Sequence, residues 1–359
     1  MRPWGPQGKT PEVIDESKHG RRMGVDLGRN FNFMGSRQGE TDYDQQREKG
    51  ADSVDQFLHV QSIPLSVRRG GIIPQKGHIG HNARMTAYDN TSLPIGVFDS
   101  GVGGLTVLKA IREALPNENL IYLGDTARLP YGTKSPASIA RYATQATAKL
   151  LQHDIKMLVV ACNTASAVAL EVLQEQMAPV PVIGVVEPGA IAAVAARPGG
   201  SHLVLATEAT VRLGAYSKAI TARDPDAHVR EQPCELLVAL AEEGWTNGDI
   251  ADSIVRRYLD DAAHDAFVAD SIILGCTHFP ILRDTIAAAV GDSVEVVDSA
   301  GTTAAVVHEI LSAKGELTED NEPGTLQLLA TDGVTRFARV GGQFLGEPLT
   351  AEDVHLVDL

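Results

Sequence analysis

Residues 157–166 read Met157-Leu158-Val159-Val160-Ala161-Cys162-Asn163-Thr164-Ala165-Ser166, and residues 271–280 read Ser271-Ile272-Ile273-Leu274-Gly275-Cys276-Thr277-His278-Phe279-Pro280. Each stretch has a short apolar run, a small residue, a cysteine and small polar residues, and a helical pattern follows. The apolar runs predict strands of a parallel sheet that is buried on both faces. The polar residues predict the cap of a following helix. Together the two stretches predict an α/β fold.

The two cysteines are candidate reactive groups. Cys162 and Cys276 each follow a predicted strand directly, and ligands bind at the carboxyl ends of strands in open α/β sheets. The nearby helix N-terminus favours the thiolate, which is the reactive form. A single buried cysteine is more often a packing residue than a catalyst. Two thiols in matching contexts indicate a site with one base on each side.

The bulk composition excludes several classes of protein. The chain has 359 residues, enough for two or three domains, and 31 Lys+Arg against 46 Asp+Glu give a net charge of −15. This balance argues against direct binding of nucleic acid or of an anionic membrane. No apolar run is long enough for a membrane span. Three cysteines without a CxxC pair indicate neither a disulfide framework nor a zinc site, so we expect a reduced, soluble, cytoplasmic protein without a metal.

The chain changes character after about residue 92. Residues 1–92 are rich in Gly, Arg, Gln, Asp and His and show little periodicity. We predict that they form a disordered extension, or that they lie upstream of the true start, for which Met85 is a candidate. A partner-binding arm is the alternative, but no motif supports it.

From Pro94 onward, strands alternate with helices, which predicts parallel sheets with helices on both faces. The repeated cysteine pattern predicts two pseudo-symmetric, doubly wound domains with the active site in the cleft between them. We assign residues 94–186 and 299–359 to the first domain and residues 187–298 to the second, with a hinge at Glu187-Pro188-Gly189-Ala190. Further strands are predicted at 94–98, 120–124, 180–186, 202–206, 228–232, 294–297 and 326–330, and a single helix is predicted at 211–222.

A glycine-rich turn follows the first predicted strand, within Gly96–Leu105. Its glycine spacing is not GxGxxG and it has no P-loop lysine, so a nucleotide site is not predicted. Asp99 is either a helix cap or a group that handles a proton or orients an ammonium, and Ser100 is a candidate donor to a ligand. In the loop 124–132, Tyr131 could close over a small ligand that approaches the backbone at Gly132.

Three further side chains, His278, Glu208 and Glu242, are open between a structural and a functional interpretation. His278 could tune the Cys276 thiol or be a structural histidine. Glu208 follows a strand and could reach the edge of the site, whereas Glu242 lies on an acidic helix end that is typical of a solvated face. Cys234 has no comparable setting and is predicted to be structural.

Taken together, these motifs closely resemble glutamate racemase, a member of the aspartate/glutamate racemase superfamily. The resemblance runs from about Pro94 to Leu359 and rests on FDSGVGGL, GDTARLPYG, ACNTAS and LGCTHFPIL in the family's order. One departure is Gly214, where many relatives have a serine.

The resemblance implies cofactor-independent interconversion of L- and D-glutamate, with D-glutamate supplied to peptidoglycan. It implies that Cys162 takes the α-proton from D-glutamate and Cys276 from L-glutamate. Asp99 and His278 are the matched polar catalytic groups, and Glu242 matches a further carboxylate behind the site. The implied substrate contacts are Asp99, Ser100, Tyr131, Gly132, Asn163, Thr164, Thr277 and His278.

The resemblance also implies partners, and rival functions remain. Dimers are common in the family, and some members are associated with inhibition of DNA gyrase, so a homodimer and a secondary gyrase interaction are expectations. An aspartate racemase is the nearest rival. A hydrolase or lyase with one nucleophilic cysteine is the more distant one.

Overall fold

The first sheet has six parallel strands. The computed structural model describes residues 90–359. The strands of this sheet lie in the order β10-β9-β2-β1-β3-β4. They are β1 (Ile95–Asp99), β2 (Leu120–Gly124), β3 (Met157–Val160), β4 (Val182–Gly184), β9 (Leu326–Ala330) and β10 (Val354–Leu356). Strands β1, β2 and β3 are buried along their whole length because helices cover both faces of the sheet.

The second sheet has four parallel strands in the order β6-β5-β7-β8. They are β5 (Ser201–Ala206), β6 (His228–Pro233), β7 (Ser271–Gly275) and β8 (Glu295–Val297). Each cysteine stretch thus supplies a central strand, since β3 pairs with β1 and β4 while β7 pairs with β5 and β8. The predicted fold class, an α/β protein with two parallel sheets, is confirmed.

Eleven α-helices are found in residues 90–359, and their starts follow local sequence signals. The helix Pro136–Leu151 begins at a proline, and the hydroxyl of Ser135 caps it by accepting the N–H of Ser138. The helices are α1 (Leu105–Ala114), α2 (Pro136–Leu151), α3 (Asn163–Met177), α4 (Val186–Ala196), α5 (Glu208–Leu213), α6 (Ala215–Arg223), α7 (Glu235–Glu243), α8 (Asp249–Ala262), α9 (Arg283–Val290), α10 (Ala300–Lys314) and α11 (Val334–Leu345).

The structure differs from the local predictions at three places. The segment predicted as a hinge, Glu187-Pro188-Gly189-Ala190, lies in the first turns of α4, where proline is tolerated because no helical hydrogen bond needs its N–H. The predicted helix 211–222 is two helices, α5 and α6, separated by Gly214 at φ 60. The edge strand β10 was missed, since its three residues carry no periodic signal.

Residues 1–89 of the predicted extension lie outside the described residues. Residues 90–92, the last three of the predicted extension, are described, and they contact residues that flank the strands of the first sheet. The side-chain amide of Asn90 donates to Glu316 Oε1 at 3.1 Å, and the amide of Asn119 donates to the carbonyl of Ser92 at 3.3 Å. In residues 90–359, no helix is long and apolar enough to cross a membrane.

A buried ion pair lies beside residues 90–92. Lys156 Nζ is 2.6 Å from Glu118 Oε2, and both side chains are almost fully buried. The same ammonium donates to the carbonyls of Thr91 and Glu316, each at 2.8 Å. Lys156 therefore connects three separate chain segments at the amino ends of the strands of the first sheet.

Candidate active site

A cavity of about 310 Å³ opens where the carboxyl ends of β1 and β3 face those of β5 and β7. It holds both reactive candidates, Cys162 and Cys276, although the two thiols come from different sheets. All the predicted site residues except Asp99 line it: Ser100, Tyr131, Gly132, Cys162, Asn163, Thr164, Glu242, Cys276, Thr277 and His278.

The Cys162 thiol caps helix α3. Its sulfur accepts the backbone N–H of Ala165 at 3.4 Å and lies 3.5 Å from the hydroxyl of Ser100. Burial and, to a smaller extent, the nearby carboxyl of Asp99 raise the pKa of this thiol to about 12, although its two hydrogen bonds oppose the shift. Near neutral pH Cys162 is therefore a thiol, the form that can give a proton to a substrate.

Asp99 lies at the end of β1, buried below the cavity. Its Oδ2 accepts the N–H of Gly101 at 2.8 Å, and its Oδ1 has no hydrogen-bond partner within residues 90–359. Burial raises the pKa of this carboxyl, while the charge of His278 and the backbone N–H of Gly101 lower it. Asp99 thus shapes the electrostatics of the cavity from behind its lining.

Cys276, His278 and Glu242 form a hydrogen-bonded row. Nδ1 of His278 is 3.7 Å from the sulfur of Cys276, and its Nε2 is 3.3 Å from Glu242 Oε1. Burial alone would lower the pKa of His278, but its bonds to Cys276 and Glu242 outweigh burial and raise the pKa to about 10. Since an imidazolium can donate from both nitrogens, His278 can bind the sulfur of Cys276 and the carboxylate of Glu242 at the same time.

The two thiols therefore differ in their environments. Cys162 lies among neutral donors close to the carboxyl of Asp99, whereas Cys276 is next to a cation. The sulfur of Cys162 is kept protonated, whereas the sulfur of Cys276 faces the imidazole of His278 at 3.7 Å. Such a pair is suited to taking a proton from one face of a carbon and returning a proton to the opposite face.

Neutral donors complete the lining of the cavity. The amide of Asn163 is oriented by Tyr216, whose hydroxyl donates to Asn163 Oδ1 at 2.7 Å. Asn163 lines the cavity, and its buried Nδ2 has no hydrogen-bond partner within residues 90–359. The hydroxyls of Thr164 and Thr207 are 2.8 Å apart. These groups, with the N–H groups at the start of α3, can bind a carboxylate.

The loop with Tyr131 and Gly132 forms one wall. The hydroxyl of Tyr131 donates to Asp125 Oδ2 at 2.5 Å, which fixes the ring over the cavity. The carbonyl of Gly132 accepts the N–H of Ala209, so the loop contacts helix α5, which follows β5 of the second sheet. A Cβ at Gly132 would lie 2.8 Å from Thr207 Cβ.

Another close approach joins the two walls at Gly103. A Cβ there would lie 2.6 Å from Cε1 of His278 and 2.6 Å from the hydroxyl oxygen of Thr277. Gly103 belongs to the turn after β1, whereas Thr277 and His278 follow β7. The glycine-rich turn after β1 is therefore a contact surface between the two halves of the site.

The candidate Glu208 and the cysteine that was predicted to be structural, Cys234, both lie away from the cavity. Glu208 is exposed and pairs with Arg212 at 3.6 Å. Cys234 is fully buried, its thiol donates to the carbonyl of Gln232, and burial raises its pKa. Neither residue lines the cavity.

Four residues at the site were missed from the sequence: Thr207, Tyr216, Glu235 and Arg336. Thr207 and Glu235 line the cavity, while Tyr216 and Arg336 contact residues that do. Glu235 could have been found, because Glu235, Val238, Ala239 and Glu242 follow a helical spacing that places them on one face of α7. Arg336 carried no signal in the sequence, because its partner Glu242 lies 94 positions away along the chain.

Comparison with known proteins agrees with this geometry. The family model described as Asp/Glu/Hydantoin racemase matches residues 95–307. A glutamate racemase of Geobacter metallireducens is 49% identical over 265 residues, which are 74% of this chain and 96% of that protein.

Solved structures of glutamate racemases are also similar. The Francisella tularensis protein, in complex with D-glutamate, has a TM-score of 0.69 at 35% identity, covering 75% of this chain and 98% of that one. The Thermus thermophilus protein, in complex with beta-chloro-D-alanine, has a TM-score of 0.66 at 42% identity over the same shares. This chain belongs to the Asp/Glu/Hydantoin racemase family, and within it to the glutamate racemases.

Proposed function

We propose that this enzyme interconverts L- and D-glutamate by proton transfer at the α-carbon, with two cysteines and without a cofactor. The observation that carries the proposal is the delivery of Cys162 and Cys276 to one cavity from two different sheets. Racemisation needs one base on each face of the α-carbon, one without a proton and the other with one. The D-glutamate formed supplies peptidoglycan synthesis.

In the proposed reaction of L-glutamate, Cys276 is the base. Its thiolate takes the α-proton, so that an S–H bond forms as the C–H bond breaks and the electron pair stays on the substrate. The thiol of Cys162 then gives its proton to the opposite face of the α-carbon and becomes a thiolate. D-glutamate reacts by the same steps in reverse, and exchange with solvent restores the starting protonation. The imidazolium of His278, 3.7 Å from Cys276, supports the initial charge state.

The negative charge that develops on the substrate also needs stabilisation. The donors proposed for this are neutral: the amide of Asn163, the hydroxyls of Ser100, Thr164 and Thr277, and the N–H groups at the start of α3. A fixed cation would bind the ground-state carboxylate strongly as well, so neutral donors favour the transition state over the substrate.

We further propose that residues 94–186 with 299–359 and residues 187–298 are two domains on either side of this cleft. The membership of the strands supports the division, since β1–β4, β9 and β10 form one sheet and β5–β8 the other. The three described cysteines are free, which fits a reducing, cytoplasmic location.

A homodimer and a secondary effect on DNA gyrase are finer proposals that rest on the family. Light scattering after gel filtration tests the dimer, and a monomer at micromolar concentration would overturn it. A supercoiling assay with the Cys162→Ser variant separates any effect on gyrase from racemisation.

The deciding experiment follows L-glutamate in D₂O with protein dialysed free of small molecules. We expect the circular dichroism of the substrate to decay to zero while proton NMR shows deuterium entering the α-position. Exchange without loss of chirality would mean that only one base works. If folded protein leaves glutamate unchanged but racemises aspartate, the assignment of the substrate is wrong.

A further inference from the structure

The carboxylate of Glu242 is shared between two partners that come from different parts of the chain. Its Oε1 is the acceptor for His278, and its Oε2 accepts an N–H of Arg336 at 2.8 Å. Glu242 lies on α7, beside the second sheet, whereas Arg336 is in the first turn of α11, which follows β9 of the first sheet. The row from Cys276 through His278 to Glu242 therefore ends on a residue of the opposite half.

Helix α11 contacts this row at a second point. The ring of Phe344 packs edge-on against His278, with 5.3 Å between the ring centroids. One helix thus holds the imidazole directly through Phe344 and indirectly through Arg336 and Glu242. The side chain of Glu242 is only 14% exposed, whereas that of Arg336 is 51% exposed, so the carboxylate is the partner that needs compensation for burial.

We propose that Arg336 is a positioning residue for the Cys276 half of the reaction. By binding Oε2 it fixes the rotation of the Glu242 carboxylate, and Oε1 then faces Nε2 of His278. The imidazolium is held with Nδ1 toward Cys276, which keeps that sulfur in its reactive state. This inference rests on the proposed racemase function and assigns Arg336 no contact with the substrate.

The charged groups around this row act in the same direction. His278 faces Cys276, Glu242 and the buried Asp99. Glu242 faces His278 and Arg336, and these two bonds lower its pKa against the effect of burial. The guanidinium of Arg336 also lies 3.6 Å from Glu243. Removing Arg336 takes a positive charge away and releases the carboxylate, and both changes make a thiolate at Cys276 less favourable.

The test compares Arg336→Met and Arg336→Lys with a matched control, Arg339→Met. Arg339 is an exposed arginine on the same helix and takes no part in the ion pairs around Glu242. For Arg336→Met we expect kcat/KM for glutamate to fall about tenfold, because a charge-assisted bond is lost at a partly exposed site. Arg336→Lys should recover part of the loss, since it keeps the charge without the planar fork. Arg339→Met should match the wild type.

A second readout does not depend on turnover. The folded proteins are treated with iodoacetamide across a range of pH, and the labelled cysteine peptides are quantified by mass spectrometry. In Arg336→Met, Cys276 should require a higher pH for half-maximal labelling, while the labelling profile of Cys162 stays unchanged and serves as an internal control. Circular dichroism and thermal unfolding verify that each variant is folded. If Arg336→Met does not fold, the same comparison is made with Arg336→Lys.

The outcomes separate this inference from the proposed function. If the wild type racemises glutamate and the Arg336 variants equal Arg339→Met in both readouts, the positioning role is wrong. If labelling shifts equally at Cys162 and Cys276, the effect is general loosening and the inference also fails. If the wild type has no racemase activity, the proposed function fails, whereas a selective shift at Cys276 would still support the connection from Arg336 to that thiol.

Discussion

The hydroxyl of Tyr216 donates a hydrogen bond of 2.7 Å to Oδ1 of Asn163, and both side chains are buried. Tyr216 lies on α6 beside the second sheet, whereas Asn163 begins α3 of the first. Because the bond occupies the oxygen of the amide, it turns the Nδ2 donor toward the substrate cavity. The orientation of a cavity-lining side chain in one half is thus set by a residue of the other half.

Replacing Tyr216 with phenylalanine should weaken substrate binding more than turnover. The ring still fills its place, but the Asn163 amide loses the bond that fixes which end faces the cavity. We expect KM for glutamate to rise about tenfold, since one buried hydrogen bond contributes about 1 kcal/mol and its acceptor is left unpaired. Steady-state kinetics by circular dichroism measures this. Tyr258→Phe is the control, because the Tyr258 hydroxyl accepts the N–H of Leu236 outside the cavity. An unchanged KM in Tyr216→Phe would contradict the orienting role.

Replacing either cavity thiol with serine should abolish racemisation in a folded protein. A hydroxyl is far less acidic than a thiol, so each of Cys162→Ser and Cys276→Ser should lower kcat by at least about a thousandfold. Cys234→Ser is the matched control, because Cys234 is buried but does not line the cavity. Near wild-type turnover in either of the first two variants would rule out the two-base mechanism.

The stability of the protein should fall as the pH rises from about 6.5 to about 10. His278 has an ordinary pKa of 6.5 when unfolded, and its bonds to Cys276 and Glu242 raise the folded value to about 10 despite burial. Between these values the folded state binds more protons than the unfolded state, so the free energy of unfolding decreases with pH. The contribution is complete below pH 6.5 and is lost as the pH approaches 10.

The His278→Asn variant should remove most of this dependence. Urea unfolding at several pH values gives the slope for both proteins, and the wild type should lose on the order of a few kcal/mol more than the variant across this range. Parallel pH profiles for the two proteins would show that His278 is not held as an imidazolium.

Breaking the buried ion pair beside Asn90 should destabilise the protein without touching the site. Lys156→Met leaves the carboxylate of Glu118 buried without its cation, and we expect a loss of about 3–5 kcal/mol in the free energy of unfolding. Chemical denaturation measures the loss. The double variant Lys156→Met with Glu118→Gln should recover part of it, because no unpaired charge remains. If both variants are as stable as the wild type, the pair makes no net contribution.

The sequence was sufficient for the fold class and for the residues that follow strands. Cys162, Asn163, Cys276 and His278 could be placed because a strand end followed by a helix start is a local signal. Residues that directly follow a strand can be assigned to this edge of the sheet from the local sequence alone. The alternation of strands and helices predicts parallel sheets, but it does not predict the order of the strands or the pairing of β9 with β2.

The parts that could not be predicted depend on contacts between distant segments. Tyr216 and Arg336 lie in no motif that indicates a role at the site. Only the folded chain brings them to Asn163 and Glu242. Helix α4 was not predicted at Glu187 because Pro-Gly pairs usually break helices, whereas here they fall in its first turns. In each of these cases the outcome depends on packing that the local sequence does not indicate.

The bare backbone at Gly103 and Gly132 sets the minimum width of the cleft. At both positions one wall meets the other with no room for a methyl group, against Thr277 and His278 in one case and Thr207 in the other. A larger residue at either position would force the two walls of the cleft apart. Glutamate could still enter such a widened cleft, but its α-carbon would then be within reach of only one sulfur. Two absent side chains thus determine whether the two bases can serve the same carbon.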